Sequence, residues 1–258
     1  MTDYREKKYK VGIVLSGGGT RGFAHLGVLQ ALNDNKIYPE IISSVSAGSI
    51  AGVLYADGHE PKDILKTITE KNIFHYIKLF FPRRGLIKMS GLVNMLNKTL
   101  KAKNIEDLKI PVLIHSVNLN KGKYVCFEKG NIIDSVKASA SIPVVFPPVK
   151  IDGEYYLDGG LINNFPLEPL EGVCEKIIGV NLNPIGETDD LNSIRKIAER
   201  AFHITLKSHT IDSKNKCDIY IEPGSLESFS LLNLKKAKKA FDLGYTETVK
   251  ALDRKGWI

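Results

Sequence analysis

Three short stretches hold the residues best suited to chemistry. The first is Ser44-Val45-Ser46-Ala47-Gly48. A short apolar run leads into Ser46 and a run of small residues leaves it. That is the context of a nucleophilic serine on a strained strand-to-helix turn, with Oγ exposed and helix N–H groups close by. Small residues are needed where strand and helix approach closely, and Ala47, Gly48, Ala51 and Gly52 supply them. The usual elbow carries a glycine where Ser44 stands, so the added Cβ is expected to introduce strain. The same pentapeptide also fits a strand whose last serines cap the next helix.

The second stretch is Gly17-Gly18-Gly19-Thr20-Arg21-Gly22. Successive glycines leave backbone N–H groups unobstructed and able to bind an anion. Set beside Ser46, Gly17, Gly18 and Gly19 would form an oxyanion hole, where one donor is worth about 3–4 kcal/mol in the transition state. Arg21 either orients this loop, binds a phosphate group, or lies on the surface paired with an acid. The same six residues satisfy the GxGxxG pattern of a dinucleotide-binding turn. That reading requires an acidic residue at the end of the next strand, yet Glu40 stands at its start. The third stretch is Tyr156-Leu157-Asp158-Gly159-Gly160. It suits a carboxylate on a tight loop and equally an ordinary Asp-Gly turn.

The elements that must position these groups follow from periodicity. Residues 11–15 and 41–45 read as buried strands, and 23–32 and 47–56 as the helices that follow them. Pro61 opens a further helix with Ile64, Leu65 and Ile68 on one face. Residues 111–119, 123–127, 176–182 and 218–221 are further strands. Residues 191–209 and 231–252 read as helices, the second interrupted or bent near Gly244. Strands alternating with helices predict a single α/β domain over residues 1–258, a three-layer α/β/α arrangement on a mostly parallel sheet.

Bulk properties exclude several classes. Hydrophobic residues make up 43% and charged residues 25% of the 258, as in an ordinary globular chain. No run approaches the roughly 20 apolar residues of a membrane span, and 11–15 is too short for a signal-peptide core, so a cytoplasmic location is expected. Three widely spaced cysteines, Cys126, Cys174 and Cys217, suggest buried free thiols rather than disulfides or zinc ligands. The net charge of +7 favours anionic partners but is modest; no nucleic-acid partner is expected. The six histidines have no local catalytic context, and packing or surface roles are expected for all of them.

Taken together, the three motifs resemble the patatin-like phospholipase family, in particular its short, single-domain bacterial members. The family's GGGxRG loop matches Gly17 to Gly22, and its elbow matches Ser44 to Gly48 apart from the first glycine. Its Asp-Gly-Gly motif matches Asp158, Gly159 and Gly160. Ala138-Ser139-Ala140-Ser141-Ile142-Pro143, with Phe146-Pro147-Pro148, is similar to the family's stretch before the aspartate. The resemblance implies a Ser46–Asp158 dyad without histidine, an acyl-enzyme, a lipid ester as substrate, and neither metal nor cofactor. A catalytically weak scaffold retaining the fold is the non-enzymatic alternative. Residues 73–89 (IFHYIKLFFPRRGLIKM) combine apolar side chains with Lys78, Arg83, Arg84, Lys88 and His75. They suit a cap over the site, a peripheral contact with the membrane's inner face, or one lid serving both. Lys235, Lys236, Lys238 and Lys239 read as a solvated helix face.

Overall fold

A computed structural model describes residues 7–70, 89–143, 145–184, 186–189, 191–194, 196–197, 200–201, 204, 213–229 and 236–258. The strands are β1 (Tyr9–Leu15), β2 (Ile41–Val45), β3 (Val112–Asn118), β4 (Lys123–Phe127), β5 (Val149–Ile151), β6 (Glu154–Asp158), β7 (Cys174–Val180) and β8 (Ile219–Ile221). The helices are α1 (Phe23–Asp34), α2 (Ala47–Ala56), α3 (Pro61–Glu70), α4 (Ser90–Thr99), α5 (Ile132–Ser139) and α6 (Ala237–Arg254). The sheet runs β5-β6-β3-β2-β1-β7-β8, with β4 also on β3. β3-β2-β1-β7-β8 are parallel, while β4, β5 and β6 add antiparallel pairs, so the sheet is mixed and mostly parallel.

The register on β3 sets up everything that follows. His115 faces Val45 of β2 on one side and Cys126 of β4 on the other. One residue on, Ser116 faces Asp158 of β6 and Val125 of β4. β4 therefore holds one edge of β3, and β2 and β6 share the other. β2 runs parallel to β3 and β6 antiparallel, so their C-terminal ends meet head to head. Gly159 sits at the junction, where a Cβ would lie 2.6 Å from the His115 carbonyl oxygen and 2.8 Å from Val45 Cγ2.

Period-2 alternation splits the core in two. Ile13, Leu15, Ile178 and Val180 face a large core that includes buried residues of α1 to α6. Val14, Ile41 and Ile177 face a smaller one closed by Phe165, Leu167 and Leu170, from a segment ending in the 3-10 turn Glu168–Leu170. Every residue of α1 from Phe23 to Leu32 is buried, His25 and Gln30 included, so this stretch lies within the core.

Several expectations change. Asp158 ends a strand, β6, and does not sit in an isolated turn; β5 and β6 form a hairpin that polar Lys150, Asp152 and Glu154 disguise in the sequence. Gly244 does not interrupt its helix: α6 runs through it. A Cβ at Gly244 would overlap the Ala24 carbonyl, and one at Gly27 would overlap the Phe241 carbonyl. The two glycines let α1 and α6 touch backbone to backbone. Cys126 is exposed, whereas Cys174 is buried; all three thiols are free. Of the helix expected over 191–209, the described residues Ile194, Lys196, Ile197, Arg200, Ala201 and Ile204 are helical. Residues 73–88 and Lys235 lie outside the described residues, whereas Lys236, Lys238 and Lys239 are exposed. Among the described residues, no helix is long and apolar enough to cross a membrane.

Gly27→Ala tests the α1–α6 contact. At an exposed helix position this change stabilises by about 1 kcal/mol. Here the Cβ meets an immovable carbonyl, so a net loss of about 1–3 kcal/mol is expected in urea unfolding. A stabilised variant would contradict the close approach.

Candidate active site

The site forms where β1, β2 and β7 end at the carboxyl edge of the parallel strands, the usual place for a ligand in such sheets. β2 ends at Val45, and Ser46 turns the chain into α2 with φ 53° and ψ −122°. Positive φ is rare for a residue with a Cβ, and it marks Ser46 as the strained corner of an elbow. Its N–H donates to Ser139 Oγ (2.8 Å), and its carbonyl accepts from Ser49 Oγ (2.6 Å) and Ser49 N (3.0 Å). The strain expected at Ser44 is not found. The positive-φ residues that carry a side chain are Lys36, Ser46 and Asp152, so Ser44 has ordinary strand backbone. Its Oγ donates to the Leu113 carbonyl (3.1 Å), and the missing side chain of Gly52 leaves it room.

The glycine loop is pressed against this elbow. A Cβ on Gly22 would lie 2.7 Å from Ala47 Cβ, one on Gly17 would lie 3.1 Å from Ser46 Cβ, and one on Gly48 would overlap the Leu15 carbonyl. Gly17, Gly22 and Gly48 thus serve one purpose, the close approach of two turns.

The carbonyls of this loop are all held. His25 Nε2 lies 2.8 Å from the Ser16 carbonyl. A carbonyl only accepts, so Nε2 carries the proton. The ring is neutral, because burial lowers its pKa to about 4 despite that hydrogen bond. The Gly17 carbonyl accepts from Ser16 Oγ (2.9 Å) and Asn183 Nδ2 (2.7 Å), and the Gly18 carbonyl accepts from Arg21 N (3.1 Å). In a planar trans peptide the next N–H points opposite to the carbonyl. Fixing the carbonyls of Ser16, Gly17 and Gly18 therefore fixes the N–H groups of Gly17, Gly18 and Gly19. None of the three donates to a protein acceptor among the described residues. Arg21 is neither on the surface nor aimed at a phosphate. It is buried and donates to the carbonyls of Phe229 (2.9 Å), Leu182 (3.3 Å) and Glu227 (3.3 Å).

Asp158 is 1% exposed and enters from the opposite direction on β6. Its Oδ1 accepts from Gly160 N (2.8 Å). The Ser46 hydroxyl is near enough to favour the charged form, yet Oδ2 makes no fully formed hydrogen bond. We take the pair as adjacent but incompletely aligned, as catalytic pairs often are without substrate. Burial raises the Asp158 pKa to about 7, against the smaller opposing pull of Ser46 and Gly160.

Sequence reasoning missed the part played by 138–143. Ser139 Oγ holds the Ser46 N–H, and the Ser141 carbonyl accepts from Asp158 N (3.0 Å). One short segment braces both chemical groups. It also missed His25, because a lone histidine inside an apolar helix carries no visible partner. The other buried histidine, His115, stacks on Tyr124 and lies 3.1 Å from Ser43 Oγ. Among the described residues, no group of three His, Cys, Asp or Glu is arranged to hold a metal.

The patatin-like phospholipase model matches residues 13–171. The chain belongs to the patatin-like phospholipase family. It is 30% identical over 177 residues to an uncharacterised NTE family protein of Mycobacterium tuberculosis, covering 67% of this chain and 49% of that protein. It is also 30% identical to lysophospholipase NTE1 of Candida glabrata, over 70% of this chain and 11% of that one. The chain thus spans about half the length of its mycobacterial relatives, and far less of the larger fungal one. Among solved structures, VipD from Legionella pneumophila has a similar fold, with TM-score 0.56 and 16% identity over 98% of this chain and 72% of that one.

The raised pKa of Asp158 has a consequence for this family member's stability. A carboxyl held at about 7 in the fold and about 3.9 when unfolded binds its proton more tightly when folded. Its effect is absent below the unfolded value, and stability is lost as pH rises towards 7. Asp158→Asn removes that dependence. The variant should gain Tm relative to wild type between pH 4 and 8, and an unchanged difference would contradict the buried carboxyl.

Proposed function

We propose that this chain is a serine acyl hydrolase that cleaves lipid esters through Ser46 and Asp158. The meeting of the β2 and β6 ends on one edge of β3 carries the reading, because it sets a strained serine beside a buried carboxylate with no histidine between them among the described residues. His25 and His115 are each engaged with another partner, Ser16 and Ser43.

Ser46 Oγ attacks the ester carbonyl, and its proton passes to Asp158 as the Oγ–C bond forms. The carbonyl electron pair moves onto oxygen, where the N–H groups of Gly17, Gly18 and Gly19 receive it. Collapse breaks the bond to the alcohol, which leaves with the proton from Asp158. Water then adds to the acyl-enzyme, gives a proton to Asp158, and releases the fatty acid as Ser46 recovers its own. A carboxylate near pKa 4 is a weak base; raising it by desolvation brings it close to working pH. Arg21, Gly22, Ser44, Gly48, Gly159 and Gly160 support the geometry, and neither metal nor cofactor takes part. Lipid is the substrate class that membership of a phospholipase family favours. The composition of residues 73–89 suits contact with a bilayer surface.

Purified protein should hydrolyse a chromogenic acyl ester. Ser46→Ala and Asp158→Asn should each lower kcat by about 1,000-fold or more. Unchanged turnover in Ser46→Ala would overturn the assignment.

The pH profile is a separate check. Because the base works ionised, kcat/KM should rise tenfold per pH unit below about 7 and level above it. A flat profile from pH 5 to 8 would exclude Asp158 as the base.

A further inference from the structure

Just past β7 the chain runs Asn181-Leu182-Asn183, and these three residues back the glycine loop. Leu182 N donates to Ser16 Oγ (3.0 Å), and the Leu182 carbonyl accepts from Arg21 (3.3 Å). A Cβ on Gly18 would lie 3.2 Å from Leu182 Cβ. Asn183 Nδ2 donates to the Gly17 carbonyl (2.7 Å) and lies 3.4 Å from Asn181 Oδ1. Both groups that Nδ2 faces are acceptors, so a turned amide would set oxygen against oxygen. Asn181 is fixed in turn, because its own Nδ2 donates to Glu222 Oε1 (2.7 Å) and Tyr220 Oη (2.9 Å).

The neighbours of Asn183 do not need its side chain. The Gly17 carbonyl also accepts from Ser16 Oγ (2.9 Å), and Asn181 Oδ1 also accepts from Asn183 N (3.2 Å). Deleting the Asn183 side chain therefore leaves neither acceptor without a partner. Asn183 is 2% exposed, and its Oδ1 has no hydrogen-bond partner among the described residues. Burying an amide with an unused acceptor costs stability, and such groups call for an explanation. The Gly17–Gly18 peptide supplies one. It borders the nucleophile, since a Cβ on Gly17 would lie 3.1 Å from Ser46 Cβ. Neither glycine has a side chain to restrain it, so the restraint must come from outside.

We propose that Asn183 is a positioning residue for acyl transfer, whose amide holds and polarises the Gly17–Gly18 peptide so that the Gly18 N–H serves the ester oxygen. Carbonyl and N–H are opposite ends of one rigid plane, so a hydrogen bond to the first orients the second. A carbonyl that accepts two hydrogen bonds also makes its N–H a stronger donor. Asn183 lies outside the span 13–171 that holds the three motifs. The inference rests on the Ser46 acyl-transfer reading.

The test compares wild type, Ser46→Ala, Asn183→Ala and Asn183→Leu on a chromogenic acyl ester. It adds the inhibition constant of an alkyl trifluoromethyl ketone, which captures a serine as a tetrahedral oxyanion. Both Asn183 variants keep the Gly18 N–H but loosen it, so kcat should fall by about 10- to 100-fold with KM changed less than about threefold. Ketone affinity should fall by a similar factor as kcat/KM, while affinity for the fatty acid product stays within about threefold. Asn183→Ala orphans no partner, so its Tm should stay within about 4 °C of wild type. Full turnover in either Asn183 variant overturns the proposal, as does a loss of kcat without a loss of ketone affinity. A loss of kcat matched by an equal loss of product affinity also overturns it, because that marks a general loosening of the site. Unchanged turnover in Ser46→Ala instead overturns the acyl-transfer reading, and the proposal with it.

Discussion

The site depends on one constraint, the sharing of a single edge of β3 by two strands of opposite direction. A strand edge normally accommodates one neighbour. Here β2 stops after Val45 and β6 takes over at Asp158, one rung further along. Backbone hydrogen bonding thereby sets the separation of serine and carboxylate, with little left to side-chain flexibility. The polar groups nearby make sense as braces for that junction. Ser139 and Ser141 tie its two sides to α5 and the chain just beyond it, and Gly159 lets the ends meet without collision. Rigid backbone is the most economical way to hold two groups to the fraction of an ångström that proton transfer demands.

The same burial that would suit Asp158 to act as a base works against the fold. An ionised carboxylate with one hydrogen-bonded oxygen and one unpaired oxygen is unfavourable in a dry interior. Together with Ser46 at φ 53° and the unpaired Asn164 amide, it concentrates local cost in one small region. The surrounding core of Ile13, Leu15, Val45, Ile114 and α1, buried from Phe23 to Leu32, offsets that cost. Strain and unsatisfied polarity thus cluster where chemistry is proposed, as expected when function and stability compete.

Much of this was legible in the sequence. Strongly periodic apolar runs located β1, β2, β3, β7, α1, α2 and α3 to within a residue or two, because burial on a parallel sheet demands such runs. The three glycine-bearing motifs were legible because close backbone approach excludes larger residues. What could not be read were groups whose role depends on a distant partner. His25 acts on Ser16, Ser139 on Ser46, and Arg21 on carbonyls more than 200 positions away. The β5–β6 hairpin escaped because its outward residues are charged, and the interruption at Gly244 was misjudged because a glycine that admits a neighbouring helix looks, in sequence, like one that breaks its own.

Arg21 links the beginning of the chain to its far end. Its guanidinium spans from the glycine loop to Glu227 and Phe229, well past residue 171 where the family model stops. β7, which pairs with the whole length of β1, also lies beyond that boundary. The matched segment is thus a region of recurring sequence and not an autonomous folding unit. Its glycine loop is finished only when the segment that reaches Phe229 has packed against it. During synthesis, the buried guanidinium would wait without these acceptors until residue 229 had emerged, more than 200 positions after Arg21 itself.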